Sequence, residues 1–375
     1  MPGLLPEVDP EGLLEYSVVY TDRALNHMSQ SFQQVMRDIS TTLKKVYNAS
    51  GVAVIPGSGT FGMEATARQF ATGKKCLVIR NGWFSYRWSQ IFDAGNLPSE
   101  SIVLKAKMIA DEHQAPFAPP PIDEVVATIK SERPDVVFAP HVETSAGMIL
   151  PDEYLTAVGA AVREIGGLFV LDCIASGTIW VDMQACNVDA LISAPQKGWT
   201  GSPCAGLVMM GDRAIEMLDS TNSNSFACDL KKWYQIMQAY ENGGHAYHAT
   251  MPTDGLTTFR NVMDETEEYG FERVMMSQKE LGQQIRTVLE AKGFKSVAAP
   301  GFQAPGVVVS YTDDPAIKNG SKFSAVGMQI AAGVPLAVDE PENFQSFRLG
   351  LFGLDKLMNV NRTVQKFEEA ISRVA

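Results

Sequence analysis

The sequence predicts an α/β protein: a large domain on a mostly parallel, seven-stranded sheet flanked by helices, followed by a smaller C-terminal α+β domain. Two observations carry this. From about residue 50 to 210, short apolar runs alternate with helical periodicity, the pattern of a parallel sheet covered on both faces. After about Pro252 the texture changes to long helical patterns around two isolated strand-like runs. With 375 residues, 45% hydrophobic and 20% charged, the chain can bury a core of that size. The expected boundaries are an irregular N-terminal arm over 1–20, the large domain over 21–255 and the small domain over 256–375.

From Leu25, apolar residues fall at Met28, Phe32, Val35, Ile39, Leu43 and Val46, the spacing of an amphipathic helix, and Asn48-Ala49-Ser50-Gly51 stops it. The strand-like runs are Val52–Ile55, Cys76–Ile79, Ile102–Leu104, Val136–Phe138, Leu168–Leu171, Leu191–Ser193 and Leu207–Met210. Helix-like segments lie between several of them, at Met63–Phe70, Ser85–Phe92, Ile122–Lys130 and Glu153–Ile165. The proline-rich stretch Ala115–Pro121 reads as a surface loop. Farther on, a helix over Phe271–Lys292 precedes the strand Gly306–Tyr311. The strand Phe347–Leu351 then leads into a last helix from Lys356 to Arg373.

Composition excludes several classes. A net charge of −12 argues against nucleic acid or an anionic membrane as partner. The five cysteines form no CxxC pair and sit mostly among apolar neighbours, so they read as reduced, buried thiols. The five histidines are scattered, which disfavours a metal site. No basic-then-apolar leader opens the chain, and no apolar run approaches the roughly 20 residues of a membrane span. The expectation is a cytoplasmic protein.

The most informative residue is Lys197, in Ser193-Ala194-Pro195-Gln196-Lys197-Gly198-Trp199-Thr200-Gly201. Upstream, the run Leu168–Leu171 ends in Asp172. A carboxylate at a strand end and a lysine among small residues are what a pyridoxal phosphate enzyme needs. The amine forms a Schiff base with the cofactor aldehyde, and the carboxylate keeps the pyridine nitrogen protonated.

Other parts of such a site occur in workable order. The turn Gly57-Ser58-Gly59-Thr60-Phe61-Gly62 follows a strand and opens a helix. Taken literally it matches the dinucleotide fingerprint, which also wants an acidic residue about 20 positions on. No Asp or Glu occurs between Glu64 and Asp93, so that reading loses. A phosphate cradle or a plain tight turn remains. In Asn81–Trp88, Phe84 is the better candidate to stack on a cofactor ring, whereas Trp83 and Trp88 read as core. In His141–Gly147, Thr144 or Ser145 is placed to hydrogen-bond a cofactor oxygen, unless the segment is a solvated loop. Arg348 interrupts an apolar strand, a costly place for a cation without a task.

These motifs resemble, from about residue 50 to the C-terminus, the class V (fold type I) pyridoxal-phosphate aminotransferases, nearest the alanine/serine–glyoxylate branch. The resemblance implies that Ser58, Gly59 and Thr60 hold the cofactor phosphate, that Phe84 stacks on the ring, and that Thr144 contacts the cofactor. It makes Asp172 the pyridine-nitrogen partner, Gln196 a phosphate-side contact and Lys197 the Schiff-base lysine. It gives Tyr247 and Thr250 to the neighbouring subunit's site in a homodimer, and makes Arg348 the grip on the substrate carboxylate. The family's Gly-Pro-rich opening and His-Arg pair are absent; the chain has Tyr16–Arg23 and Asn26–Ser29 there. Gln196 stands where cysteine desulfurases carry histidine, which disfavours sulfur transfer.

The function expected is transamination from alanine, serine or aspartate to glyoxylate or pyruvate. The alternatives are transfer from 2-aminoethylphosphonate to pyruvate, or a lyase or decarboxylase on the same scaffold. From another class, a nucleotide-binding module is disfavoured by the missing ribose acid.

Overall fold

The computed structural model describes residues 8–10 and 12–374. Its central sheet has seven strands: β1 Gly51–Pro56, β2 Lys75–Arg80, β3 Glu100–Lys105, β4 Val136–Pro140, β5 Leu168–Asp172, β6 Ala190–Ser193 and β7 Ala205–Met210. Their spatial order is β1-β7-β6-β5-β4-β2-β3, and only β7 runs antiparallel to its neighbours. The central strands are apolar and buried along their whole length, as both faces are covered. The covering helices include α1 Gln30–Tyr47, α2 Gly59–Phe70, α3 Trp83–Gly95, α4 Ile122–Glu132 and α5 Asp152–Glu164.

The C-terminal part holds a second, antiparallel sheet of three strands: β8 Val307–Tyr311, β9 Ala331–Ala332 and β10 Ser346–Gly350, with β10 central. Helices Phe271–Ala291 and Val360–Val374 pack on it, burying Leu281, Ile285, Leu289, Phe347, Phe367 and Ile371. Fold class and element order agree with the sequence reading. No helix among the described residues is long and apolar enough to cross a membrane, and no cluster of metal-ligating residues occurs among them.

Boundaries moved where capping overrides periodicity. The first helix starts at Gln30 rather than Leu25, because the Ser29 hydroxyl accepts from the Phe32 amide at 3.1 Å. The last helix is two: Leu354–Leu357, then Val360–Val374, where Asn359 Oδ1 accepts from the Arg362 amide at 3.1 Å and starts a new helix. α2 begins at Gly59, not Met63, so the glycine-rich turn is its first turn. Helices Leu230–Glu241 and Thr253–Tyr269 were absent from the sequence reading, although Leu230, Trp233, Ile236, Met237 and Tyr240 carry the helical spacing.

Two expectations fail outright. Ala115–Pro121 is no surface loop: Ala115, Phe117, Pro119 and Pro120 are buried, and Phe117–Ala118 pairs with Lys107–Met108. The Phe117 amide also donates to Val297 O at 2.7 Å, so backbone pairing draws the segment inward despite its prolines. Trp83 is not core: it is half-buried against Tyr86, whereas Trp88 is fully buried beside Phe138. Of the expected arm, residues 1–7 and 11 lie outside the described residues, and the others up to 20 form no helix or strand.

Candidate active site

The carboxyl ends of β2, β4 and β5, the start of α2, the β6–β7 connection and the small sheet enclose a cavity of about 460 Å³. Open α/β sheets bind ligands at this end of their strands. Ser58, Gly59, Thr60, Phe84, Thr144, Asp172, Gln196, Lys197 and Arg348 all line it.

Asp172 ends β5 and is buried. Its Oδ1 accepts from the Ile174 amide at 2.9 Å, and among the described residues it has no salt-bridge partner. Burial pushes its carboxyl up to about 7; the Ile174 amide opposes this, the nearby Glu143 charge reinforces it, and Arg87 offsets it. Such a carboxylate is electrostatically incomplete without a cation.

Lys197 sits in the connection after β6, where the Thr200 amide donates to Lys197 O at 3.0 Å and the Gly201 amide to Pro195 O at 2.9 Å. Trp199 anchors this loop, buried against Trp180 with ring centroids 4.8 Å apart. A Cβ on Gly198 would collide with Gly177 O, so only glycine lets the lysine loop lie this close to the turn after β5. Burial lowers the amine's pKa, and the Arg348 charge lowers it further.

At the head of α2, Ser58 is extended and its hydroxyl makes no capping bond, which leaves it free beside the first-turn amides. Gly59 packs on Ile174 and Ala194 with no room for a side chain. Arg87 Nη1 donates to Thr60 Oγ1 at 3.0 Å, adding a cation to this anion-binding corner.

Phe84 lies in the first turn of α3, with the guanidinium carbons of Arg87 and Arg348 at 5.3 and 5.4 Å from its ring centroid. Arg348 lies mid-strand in β10, half-buried, its Nε donating to Ala332 O at 2.8 Å. It has no salt bridge to a carboxylate among the described residues.

Sequence reasoning gave no role to Glu143. It is wholly buried, and its Oε1 accepts from the amides of Phe84 (3.2 Å) and Ser145 (3.0 Å) and the Ser145 hydroxyl (2.8 Å). Its Oε2 accepts from the Ser85 amide (2.8 Å) and hydroxyl (2.7 Å). Glu143 thus fastens the loop bearing Phe84 to the one bearing Thr144. The Ser145 hydroxyl, which also accepts from the Trp83 amide at 2.9 Å, is spent there, so Thr144 is the hydroxyl that faces the cavity. A carboxylate inside the buried hairpin Val142–Glu143/Met148–Ile149 was the available signal.

Tyr247 and Thr250 are not brought to this cavity within the chain. They pair with each other, Tyr247 Oη to Thr250 Oγ1 at 3.2 Å, and Tyr247 is exposed beside His27.

The residues present fit pyridoxal phosphate. Buried Asp172, without a salt-bridge partner among the described residues, suits a cationic ring nitrogen; the head of α2 with Arg87 suits a phosphate; and Gln196 Oε1 is buried there with no hydrogen-bond partner among the described residues. Such a fold and cavity define a fold type I pyridoxal-phosphate enzyme. The chain belongs to the class-V aminotransferase family, whose model matches residues 11–310, and so is an aminotransferase that uses pyridoxal 5'-phosphate. The 2-aminoethylphosphonate–pyruvate transaminase of Syntrophobacter fumaroxidans is 26% identical over 353 residues, 92% of this chain and 90% of that protein. Among solved structures, the alanine–glyoxylate aminotransferase from Nostoc sp. superposes with a TM-score of 0.78 at 22% identity, covering 93% and 89% of the two chains. The ureidoglycine–glyoxylate aminotransferase from Bacillus subtilis gives 0.76 at 20% identity, covering 96% and 88%.

Proposed function

We propose that the protein moves an amino group from alanine, serine or aspartate to a small 2-oxo acid, glyoxylate or pyruvate. The carrying observation is that one cavity holds a buried, unpaired carboxylate, a lysine with lowered pKa and an arginine with no carboxylate partner. Bound pyridoxal phosphate supplies an electron-accepting ring that makes the substrate Cα–H acidic.

The chain's residues do the rest. Ser58, Gly59, Thr60 and Gln196 would hold the phosphate, with Arg87 adding charge; Phe84 would pack on the ring, and Thr144 would contact the cofactor. Asp172 holds a proton at the pyridine nitrogen, and the proton in turn keeps the carboxylate ionised. Arg348 takes the substrate carboxylate through the guanidinium nitrogens not bonded to Ala332, a geometry lysine lacks. Lys197, partly desolvated and beside a second cation, both of which lower its pKa, is the group placed to take the Cα proton. The same amine would hold that proton and hand it on, serving as both acceptor and donor.

The assembly proposed is a homodimer in which Tyr247 and Thr250 reach the neighbouring subunit's phosphate. The chain divides near residue 255 into a large and a small domain, and works in the cytoplasm. Transfer from 2-aminoethylphosphonate to pyruvate is the second reading, favoured by the likeness to the S. fumaroxidans transaminase over 92% of the chain.

A donor-by-acceptor screen, following the cofactor's aldehyde absorption, tests this. Alanine, serine or aspartate should bleach the band, and glyoxylate or pyruvate should restore it. If 2-aminoethylphosphonate alone bleaches it, the second reading replaces the first.

A further inference from the structure

Phe352, which the sequence reading did not single out, stands beside the reactive amine. Lys197 Nζ lies 5.3 Å from its ring centroid, and both residues line the cavity with Arg348. The half-buried ring faces three glycines: a Cβ on Gly177, Gly306 or Gly350 would meet it at 3.6, 3.4 and 3.4 Å, in ordinary van der Waals contact. Gly177 has φ +65 and touches the Lys197 loop through Gly198, so ring, turn and lysine form one package.

A substrate whose carboxylate is on Arg348 and whose Cα is within reach of Lys197 therefore has its side chain confined. The remaining apolar wall near it is Val142, Ala175, Val307 and Ala331. Among the described residues, no carboxylate other than Asp172 lines the cavity, and its cations are Arg87, Lys197 and Arg348. Arg87 is engaged with Thr60 and Phe84.

We propose that Phe352 is the specificity-determining residue of this site: its ring sets the upper length of the donor side chain, admitting alanine- and serine-sized groups and turning away longer ones. The proposal rests on the aminotransferase reading above and narrows its donors to alanine and serine, the longer aspartate side chain being turned away.

The test is a series of straight-chain donors (alanine, 2-aminobutyrate, norvaline, norleucine) with wild type, Phe352→Ala, Phe352→Leu and Phe352→Tyr, each cofactor-loaded. The wild-type kcat/KM should fall along the series. In Phe352→Ala the norleucine-to-alanine ratio should rise about tenfold or more, the discrimination that methylene-sized differences in an apolar pocket produce. Phe352→Leu should fall between, and Phe352→Tyr should keep the wild-type ratio. Calorimetric titration with acetate through hexanoate gives a readout free of turnover: the longer acids should gain affinity only in Phe352→Ala and Phe352→Leu. An unchanged ratio and carboxylate series in both shortened variants overturn the proposal, as does loss of bound cofactor in both, which would make the ring a structural support. A wild type that transaminates none of these donors removes the underlying reading, and the size limit with it.

Discussion

Glu143 Oε2 accepts two hydrogen bonds from Ser85, one from its amide at 2.8 Å and one from its hydroxyl at 2.7 Å. A buried anion thus ties the first turn of α3, and with it Phe84, to the loop carrying Thr144. Five donors around one carboxylate make this the most heavily bonded side chain at the cavity, and its value lies in what it holds still.

Replacing Glu143 by Ala leaves the amides of Phe84, Ser85 and Ser145 without their acceptor. The variant should lose about 1–3 kcal/mol of stability, the cost of unsatisfied buried polar groups. Cofactor release should also quicken. Urea denaturation and the fluorescence of retained cofactor measure both, and a midpoint equal to wild type contradicts the clamp.

Lys197→Ala should lower turnover by at least about a thousandfold, since both the amine nucleophile and the proton carrier go. The fold should persist, as the loop is anchored by Trp199 and Gly198. Borohydride should fix cofactor to the wild type and not to the variant. Circular dichroism checks the fold; retained turnover would refute the assignment.

Arg348→Ala should raise KM for carboxylate substrates about ten- to a hundredfold, the range for losing a charge-assisted contact, with a smaller change in kcat. Arg348→Lys should recover only part of the affinity, because an ammonium cannot make the bidentate contact. An unchanged KM in both rejects the role.

Asp172 makes the cofactor-free protein pH-sensitive. Its folded pKa of about 7 lies above the ordinary carboxylate value near 4, so the native state binds that proton more tightly than the unfolded state. The resulting stability is fully present below about pH 4 and is lost as pH rises through about 7. Cofactor-free Asp172→Asn, neutral throughout, should therefore melt above wild type at pH 8 and alongside it at pH 4. His141, which burial pushes down to about 4, titrates alike in both and cancels in the comparison. With cofactor added, the order should reverse, because the asparagine cannot pair with a cationic nitrogen. Parallel melting curves at all pH values would disprove the account.

Mixing inactive Lys197→Ala with inactive Tyr247→Ala/Thr250→Ala should restore activity if each subunit completes its neighbour's site, since the mixed dimer then holds one intact site. Ultracentrifugation of the mixture checks that dimers form. No recovery in a mixture shown to contain mixed dimers rules out the shared site.

The sequence by itself determined the sheet and most of the residues that meet at the cavity. Strands such as Leu168–Asp172 and Ala205–Met210 are continuous apolar runs, and burial on both faces leaves no other arrangement for them. Lys197, Asp172, Arg348 and the turn at Gly57 were legible because each is a polar or conformational exception in an apolar setting. Tertiary structure decided what depends on contacts between distant segments. Phe117 is drawn inward by Val297, Ser145 is turned to the Trp83 amide so that Thr144 faces the cavity, Glu143 clamps Ser85 and Phe352 meets Lys197, each pair of partners far apart in sequence. Periodicity reports which face a residue takes on its own element; it carries no record of the element that arrives opposite.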